Sequence, residues 1–150
     1  MMSMRAWRAA AAGFMMAAAS AAGETEPLKV GMVSDGNPFD DAGFNQSCKE
    51  GLQRAMQEFK VFALFRESSA EQHYRRALTE LAEKNYKLIV GIGYLMEDDL
   101  AAVARRYTNT WFAIVDGYYT DPIPNVESLI FAVDQCAFPA GFLAAAWADI

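Results

Sequence analysis

One histidine, two cysteines and no apolar run of bilayer length leave this 150-residue chain without the raw material of several common sites. The sole histidine, His73, sits beside Tyr74 and Arg75 on a charged helical stretch, where a solvated face is the expected role. Cys48 and Cys136 offer neither a CxxC pair nor a Cys/His metal spacing. Each falls in a segment of helical periodicity, so buried free thiols are expected. An oxidising compartment would permit a bond between them, but sequence does not set their Cα separation. Basic charge is also scarce, with 13 Lys and Arg against 19 Asp and Glu and a formal net charge of −6. That balance argues against a nucleic acid or anionic membrane partner. What remains is ordinary globular composition, 53% hydrophobic and 21% charged, which excludes disorder, collagen-like repeats and a disulfide scaffold.

The chain begins with Arg5 and Arg8, followed by the apolar run Ala9 to Ala19 and a small-residue stretch through Gly23. A charged start, a short apolar run and small residues at its end read as a secretory signal peptide over residues 1–22. The run is shorter than the roughly 20 residues that a bilayer-spanning helix needs. No cysteine precedes Cys48 to carry a lipid, so a soluble periplasmic protein is expected. Residues 23–27 form a polar tether, and residues 28–150 are long enough for one core. Without Arg5 and Arg8 the mature chain would carry 11 of the 13 basic side chains and become more acidic still.

Beyond the tether, short β-rich runs alternate with longer amphipathic ones. Strands are expected at Leu28 to Val33, Val61 to Phe65, Leu88 to Val90, Trp111 to Val115 and Ser128 to Val133. Apolar residues at Phe44, Cys48, Leu52, Ala55, Met56 and Phe59 recur every three or four positions, as a helix packed on one face requires. Ser68 with Glu71, or Ser69 with Gln72, offers a capping box for a second helix with the stripe Tyr74, Ala77, Leu78 and Leu81. A third helix spans about Met96 to Tyr107, acidic in its first turn and basic in its last. Asp134 can cap a last helix, with Pro139 in its first turn. Five strands linked by crossover helices predict an α/β fold with a doubly wound parallel sheet.

Such sheets bind ligands beyond the carboxyl ends of their strands. Three of those ends are polar or glycine-rich: Ser34-Asp35-Gly36-Asn37, Gly91-Ile92-Gly93-Tyr94 and Asp116-Gly117. Glycine lets a backbone amide approach a ligand, and a carboxylate such as Asp116 can accept hydrogen bonds from two vicinal hydroxyls, which suits a ribose. Gly91 and Gly93 lack the third glycine of a dinucleotide fingerprint and do not follow the first strand, so no nicotinamide cofactor is expected. Asp40 and Asp41, just before a helix, are placed for capping. The alternative is a magnesium site formed with a later strand-end acid, as in a metal-dependent enzyme or receiver-like domain. Phe44, at the start of that helix, is either core or a platform for a planar base.

Four segments together carry a family resemblance. Ser34-Asp35-Gly36, Phe39 to Gln46, Leu88 to Tyr94 and Phe112 to Gly117, in that order, resemble the basic membrane protein family. These are nucleoside-binding components of ABC transporters, related to the purine nucleoside receptor A lipoproteins. The resemblance implies the first lobe of a type I periplasmic binding protein, with the ligand in a cleft between two lobes. It also implies that Phe44 stacks on the base, that Asp35 and Asn45 supply polar contacts, that Asp116 holds the ribose hydroxyls and that Tyr94 lines the site, beside Gly91 and Gly93, which join the expected site as strand-end glycines whose amides a ligand can approach. An ABC permease is the implied partner and no cofactor is needed. The family's lipid-bearing cysteine and its second lobe are not present in this sequence, so a fragment carrying half a site is expected. An extracytoplasmic sensor that passes its ligand to a receptor is the competing role.

Overall fold

The computed structural model describes residues 26–68 and 73–148. The expected leader and the Ser69/Gln72 capping box, with Glu71, lie outside the described residues. In chain order the elements are β1 (Leu28–Val33), α1 (Phe44–Glu58), β2 (Val61–Arg66), α2 (Tyr74–Glu83), β3 (Leu88–Ile92), a 3-10 turn (Tyr94–Met96), α3 (Glu97–Arg106), β4 (Trp111–Val115), β5 (Val126–Leu129) and α4 (Val133–Ala148). The strands form one sheet in the order β2-β1-β3-β4-β5, and every neighbouring pair is parallel. The doubly wound parallel sheet expected from the alternation of elements is therefore present.

Handedness explains the layers. The step from β1 to β2 runs one way along the sheet, whereas the steps from β2 to β3 and β3 to β4 run the other way. Right-handed crossovers then place α1 on one face and both α2 and α3 on the opposite face. The packing agrees. Val33, Ile89, Phe112 and Ile114 join Tyr74, Leu78 and Leu81 of α2 and Leu100, Val103 and Ala104 of α3 in one cluster. Val30, Met32, Val90, Ile92, Ala113 and Val115 form the other, with Cys48 and Leu52 of α1 packed against it. Gly31 and Gly91 face the first cluster, and a Cβ at Gly91 would come within 2.6 Å of the Met96 sulfur and 2.8 Å of Leu100 Cδ1. Strand and helix meet there without room for a side chain.

Local signals set the helix ends. Tyr74, Leu78, Leu81 and Ala82 are the buried residues of α2, spaced as one helical face. Asn85 then takes a left-handed φ of 59°, the Asn85 amide donates to Ala82 O, and the Tyr86 amide donates to Leu81 O. These are the two bonds of a Schellman motif, with Tyr86 and Leu81 both in the core. In α3 Glu97, Asp98 and Asp99 occupy the first turn and Arg105 and Arg106 the last, as the helix dipole favours.

Three expectations are corrected at the C-terminal end. β5 runs from Val126 to Leu129, not from Ser128 to Val133. Buried Asn125 donates from Nδ2 to Ala104 O, Tyr107 O and Thr110 O, so the chain is pinned to the end of α3 immediately before the strand starts. Because α4 begins at Val133, Asp134 lies within its first turn and Pro139 is interior, where it removes a hydrogen bond to the preceding turn. Cys136 is exposed rather than buried, because α4 buries none of its residues. Both cysteines are free thiols, and Cys48 is half-buried.

Candidate functional site

In the 2-1-3-4-5 strand order, connections leave β1 and β3 toward opposite faces, which opens a crevice at the carboxyl ends of those two strands. Register fixes what stands there. Val33 pairs with Gly91, and Ile92 pairs with Val115, so Asp35, Gly93 and Asp116 lie at one level on three neighbouring chains. With strands about 4.8 Å apart, the Asp35 and Asp116 backbones are separated by roughly 10 Å, the width of a small ring system.

Asp35 is the best-anchored member. Its Oδ1 accepts from Asn45 Nδ2 at 2.9 Å and, more weakly, from Asn37 Nδ2 at 3.4 Å. Gly93, with φ of 90°, backs onto the same side chain. A Cβ there would stand 2.8 Å from Asp35 Cβ and 2.9 Å from Oδ2, so both backbone conformation and space call for glycine. Asn45 is only 1% exposed, and its Nδ2 also donates to Asn37 O at 3.1 Å. Its amide hydrogens are thus spent on Asp35 and the β1–α1 loop, while its Oδ1 is buried without a partner. Holding Asp35 in place is what this geometry does.

The start of α1 is held by Asp41. Its Oδ1 accepts from the Gly43 and Gln46 amides at 2.8 and 3.1 Å, and its Oδ2 accepts from the Asn45 amide at 3.1 Å. These backbone donors, Gln46 foremost, hold the carboxyl below its ordinary value of 3.8. Both oxygens serve the capping role, which disfavours the magnesium alternative. Phe44, the first residue of α1, is 39% exposed and meets Phe131 edge to face, with ring centroids 5.9 Å apart and planes at 67°.

The third strand end is fixed by its neighbours. The Gly93 amide donates to Val115 O, and the Asp116 amide donates to Leu129 O, each at 2.8 Å. Asp116 is exposed and adopts φ of 61°, a left-handed conformation uncommon outside glycine and concentrated at binding sites. The loop beyond it is strapped to the start of α3: the Tyr118 amide donates to Glu97 Oε1 at 2.8 Å, and the Tyr119 hydroxyl donates to Glu97 O at 2.7 Å. Burial, with Glu97 and Asp98 nearby, pushes the Tyr119 phenol up, so it stays a donor. Tyr94 is exposed at the turn after β3.

Of the seven residues singled out in the sequence, six are therefore grouped at the rim, namely Asp35, Phe44, Asn45, Gly93, Tyr94 and Asp116. Gly91 stands apart: it is buried inside β3 against Met96 and Leu100 and serves close packing of α3. Two further residues stand at this rim. Phe131 lies just past β5 and not inside a strand running to Val133, and an aromatic there follows the same rule as the other rim residues. Glu97, in the acidic first turn of α3, also holds the loop beyond Asp116.

Comparison with known proteins supplies the remaining evidence. A family model described as ABC transporter substrate-binding protein PnrA-like matches residues 28–149. Basic membrane protein A1 of Borrelia garinii subsp. bavariensis is 36% identical over 124 residues, covering 81% of this chain and 36% of that protein. The ABC transporter nucleoside-binding protein BmpA of Lactococcus lactis subsp. cremoris is 35% identical over 123 residues, covering 79% and 34%. Among solved structures, an ABC transporter solute-binding protein from Aeropyrum pernix K1 superposes with a TM-score of 0.66 at 28% identity, over 70% of this chain and 29% of that one. A fragment of a putative lipoprotein from Peptoclostridium difficile 630 gives 0.64 at 25%, over 78% and 96%. The chain spans about a third of the length of the curated relatives it matches.

Proposed function

The chain belongs to the PnrA-like family of ABC transporter substrate-binding proteins, and from that premise we propose that its rim is one wall of an extracytoplasmic nucleoside-binding site serving an importer. The observation that carries the reading is the level placement of Asp35, Gly93 and Asp116 at the β1/β3 crevice, with the partly exposed Phe44 beside them. An apolar ring face and two carboxylates carried on backbones roughly 10 Å apart are complementary to a planar base joined to a hydroxylated sugar. Phe44 stacks on the base, Asp35 accepts from a base-edge donor, and Asp116 accepts from the ribose hydroxyls. Asn45 holds Asp35 at the correct angle, Gly93 admits the ligand close to the backbone, and Tyr94 flanks it. Gly91 supports the wall from behind.

Binding of this kind needs no nucleophile, metal or cofactor, because the task is capture and release. The ligand is handed to a membrane permease. The relative from Lactococcus lactis is named for nucleoside binding, which supports the same ligand class here. Among the described residues no helix is long and apolar enough to cross a membrane. Export would come from residues 1–22, removed in the mature chain.

A thermal-shift panel tests the reading, since a ligand that binds only the folded state raises its melting temperature by mass action. Purine nucleosides at millimolar concentration should raise Tm, with smaller rises for free bases and for ribose. Rises confined to sugars, or equal for unrelated solutes, would overturn it.

A further inference from the structure

Phe131 lies 87 positions after Phe44 in the sequence, yet the two rings meet at 5.9 Å and 67°. Phe44 opens α1 at the carboxyl end of β1, whereas Phe131 follows β5 at the far edge of the same rim. Leu129, two residues before Phe131, accepts the Asp116 amide, which fixes the segment leading to this ring against the proposed ribose acceptor. Both aromatic residues remain open to solvent, at 39% and 55%. Two apolar rings held at an angle and half exposed, on the rim that also carries Asp35 and Asp116, are not a core contact. They form a corner, in which a planar ring stacked on one face presents its edge to the second ring, the arrangement that aromatic quadrupoles favour.

We infer that Phe131 is a second aromatic wall of the ligand site, which orients a planar ring stacked on Phe44 and so confers preference for ring-bearing ligands over sugars. The inference rests on the nucleoside reading of the rim. It assigns to the segment after β5 a ligand-binding role independent of Asp35 and Asp116.

The test is an NMR titration of the whole chain, with labelled phenylalanine rings, against guanosine, inosine and adenosine, with ribose as the control. In the wild type the Phe44 and Phe131 ring signals should shift together with a single dissociation constant. Phe131→Ala should weaken nucleoside binding about two- to tenfold, the range for loss of one favourable aromatic pair, and leave ribose unaffected. Phe131→Tyr should bind like the wild type and Phe131→Leu like the alanine variant, because bulk alone cannot replace a ring. In a Phe44→Ala background the Phe131→Ala change should have almost no further effect. Thermal midpoints of the unliganded variants, expected to stay within a few degrees of wild type, report whether they fold. If no nucleoside shifts any wild-type signal, the reading of the rim fails and this inference falls with it. If nucleosides bind through Phe44 but Phe131→Leu is as tight as wild type, the rim reading stands and the role of Phe131 alone is overturned.

Discussion

The two faces of the sheet are made from alternate residues of the same strands, yet they are sealed to different degrees. On the side of α2 and α3, Ile89, Ile114, Leu78 and Leu100 are wholly inaccessible. On the side of α1, Val90 is 9% exposed and Ala113 and Val115 are 8%. Two helices packed side by side cover the first face, while one helix covers the second and α4 leaves the sheet without burying any residue. The proposed site belongs to the looser side. Phe44 and Asn45 come from α1, and the partly exposed Phe131 comes from the segment that precedes α4. Burial is more complete on one face, and the proposed ligand site lies at the edge of the other.

Matched truncations break that comparison most sharply. Leu100→Ala on the sealed face should cost about 2–5 kcal/mol, because a cavity is left among fixed neighbours. Leu52→Ala on the α1 face should cost roughly 1 kcal/mol, since its half-buried side chain yields to solvent rather than to a void. Equal losses in chemical denaturation would show the two faces to be equivalent. Gly91→Ala comes next, at about 1–3 kcal/mol from overpacking against Met96 and Leu100. It should leave nucleoside affinity of the folded protein unchanged, whereas Gly93→Ala, which crowds Asp35, should weaken binding.

Acid separates the faces more gently. Asp41 is ionised more readily in the folded chain than in the unfolded one, because the Gln46, Gly43 and Asn45 amides bind its carboxylate. The stability it lends is complete above its ordinary value of 3.8 and is lost as pH falls through the lower folded value. Asp41→Asn should therefore lower Tm at neutral pH, and the gap to wild type should close on acidification below that value. A gap independent of pH would deny the charge any part in holding α1. The smallest effect is chemical. Burial, with Asp41 and Asp35 nearby, pushes the Cys48 thiol up, so alkylation at pH 8 should label exposed Cys136 first and Cys48 at least about tenfold more slowly.

Most of the fold was legible in the sequence because its signals are local. β1 and β4 match their expected limits at Leu28–Val33 and Trp111–Val115, where β-rich runs, continuous and apolar in β4, end at the polar residues Ser34 and Asp116. The rim residues were legible for a related reason: each follows a strand, and the parallel fold gathers such positions at one end. What escaped depends on distant contacts. Asn125 starts β5 by binding carbonyls 15 to 21 residues earlier, which no window around the strand reveals. The overlong strand then hid Phe131. Gly91 was drawn into the site by its neighbour Gly93, although one lies inside the strand and the other just past it. Cys136 in α4 departs from the expected burial because an apolar helix normally packs on a core, whereas this one buries none of its residues.

Under the proposed function the rim recognises a base and a ribose through separate groups, and Asp116 is the residue at which the two separate most directly. Calorimetric or NMR titration of a purine nucleoside and of its free base, each against wild type and Asp116→Asn, isolates the ribose contact. The variant should lose roughly 1.5–3 kcal/mol for the nucleoside, the range for hydrogen bonds to a charged acceptor, and almost nothing for the base. Equal losses for both ligands would contradict it.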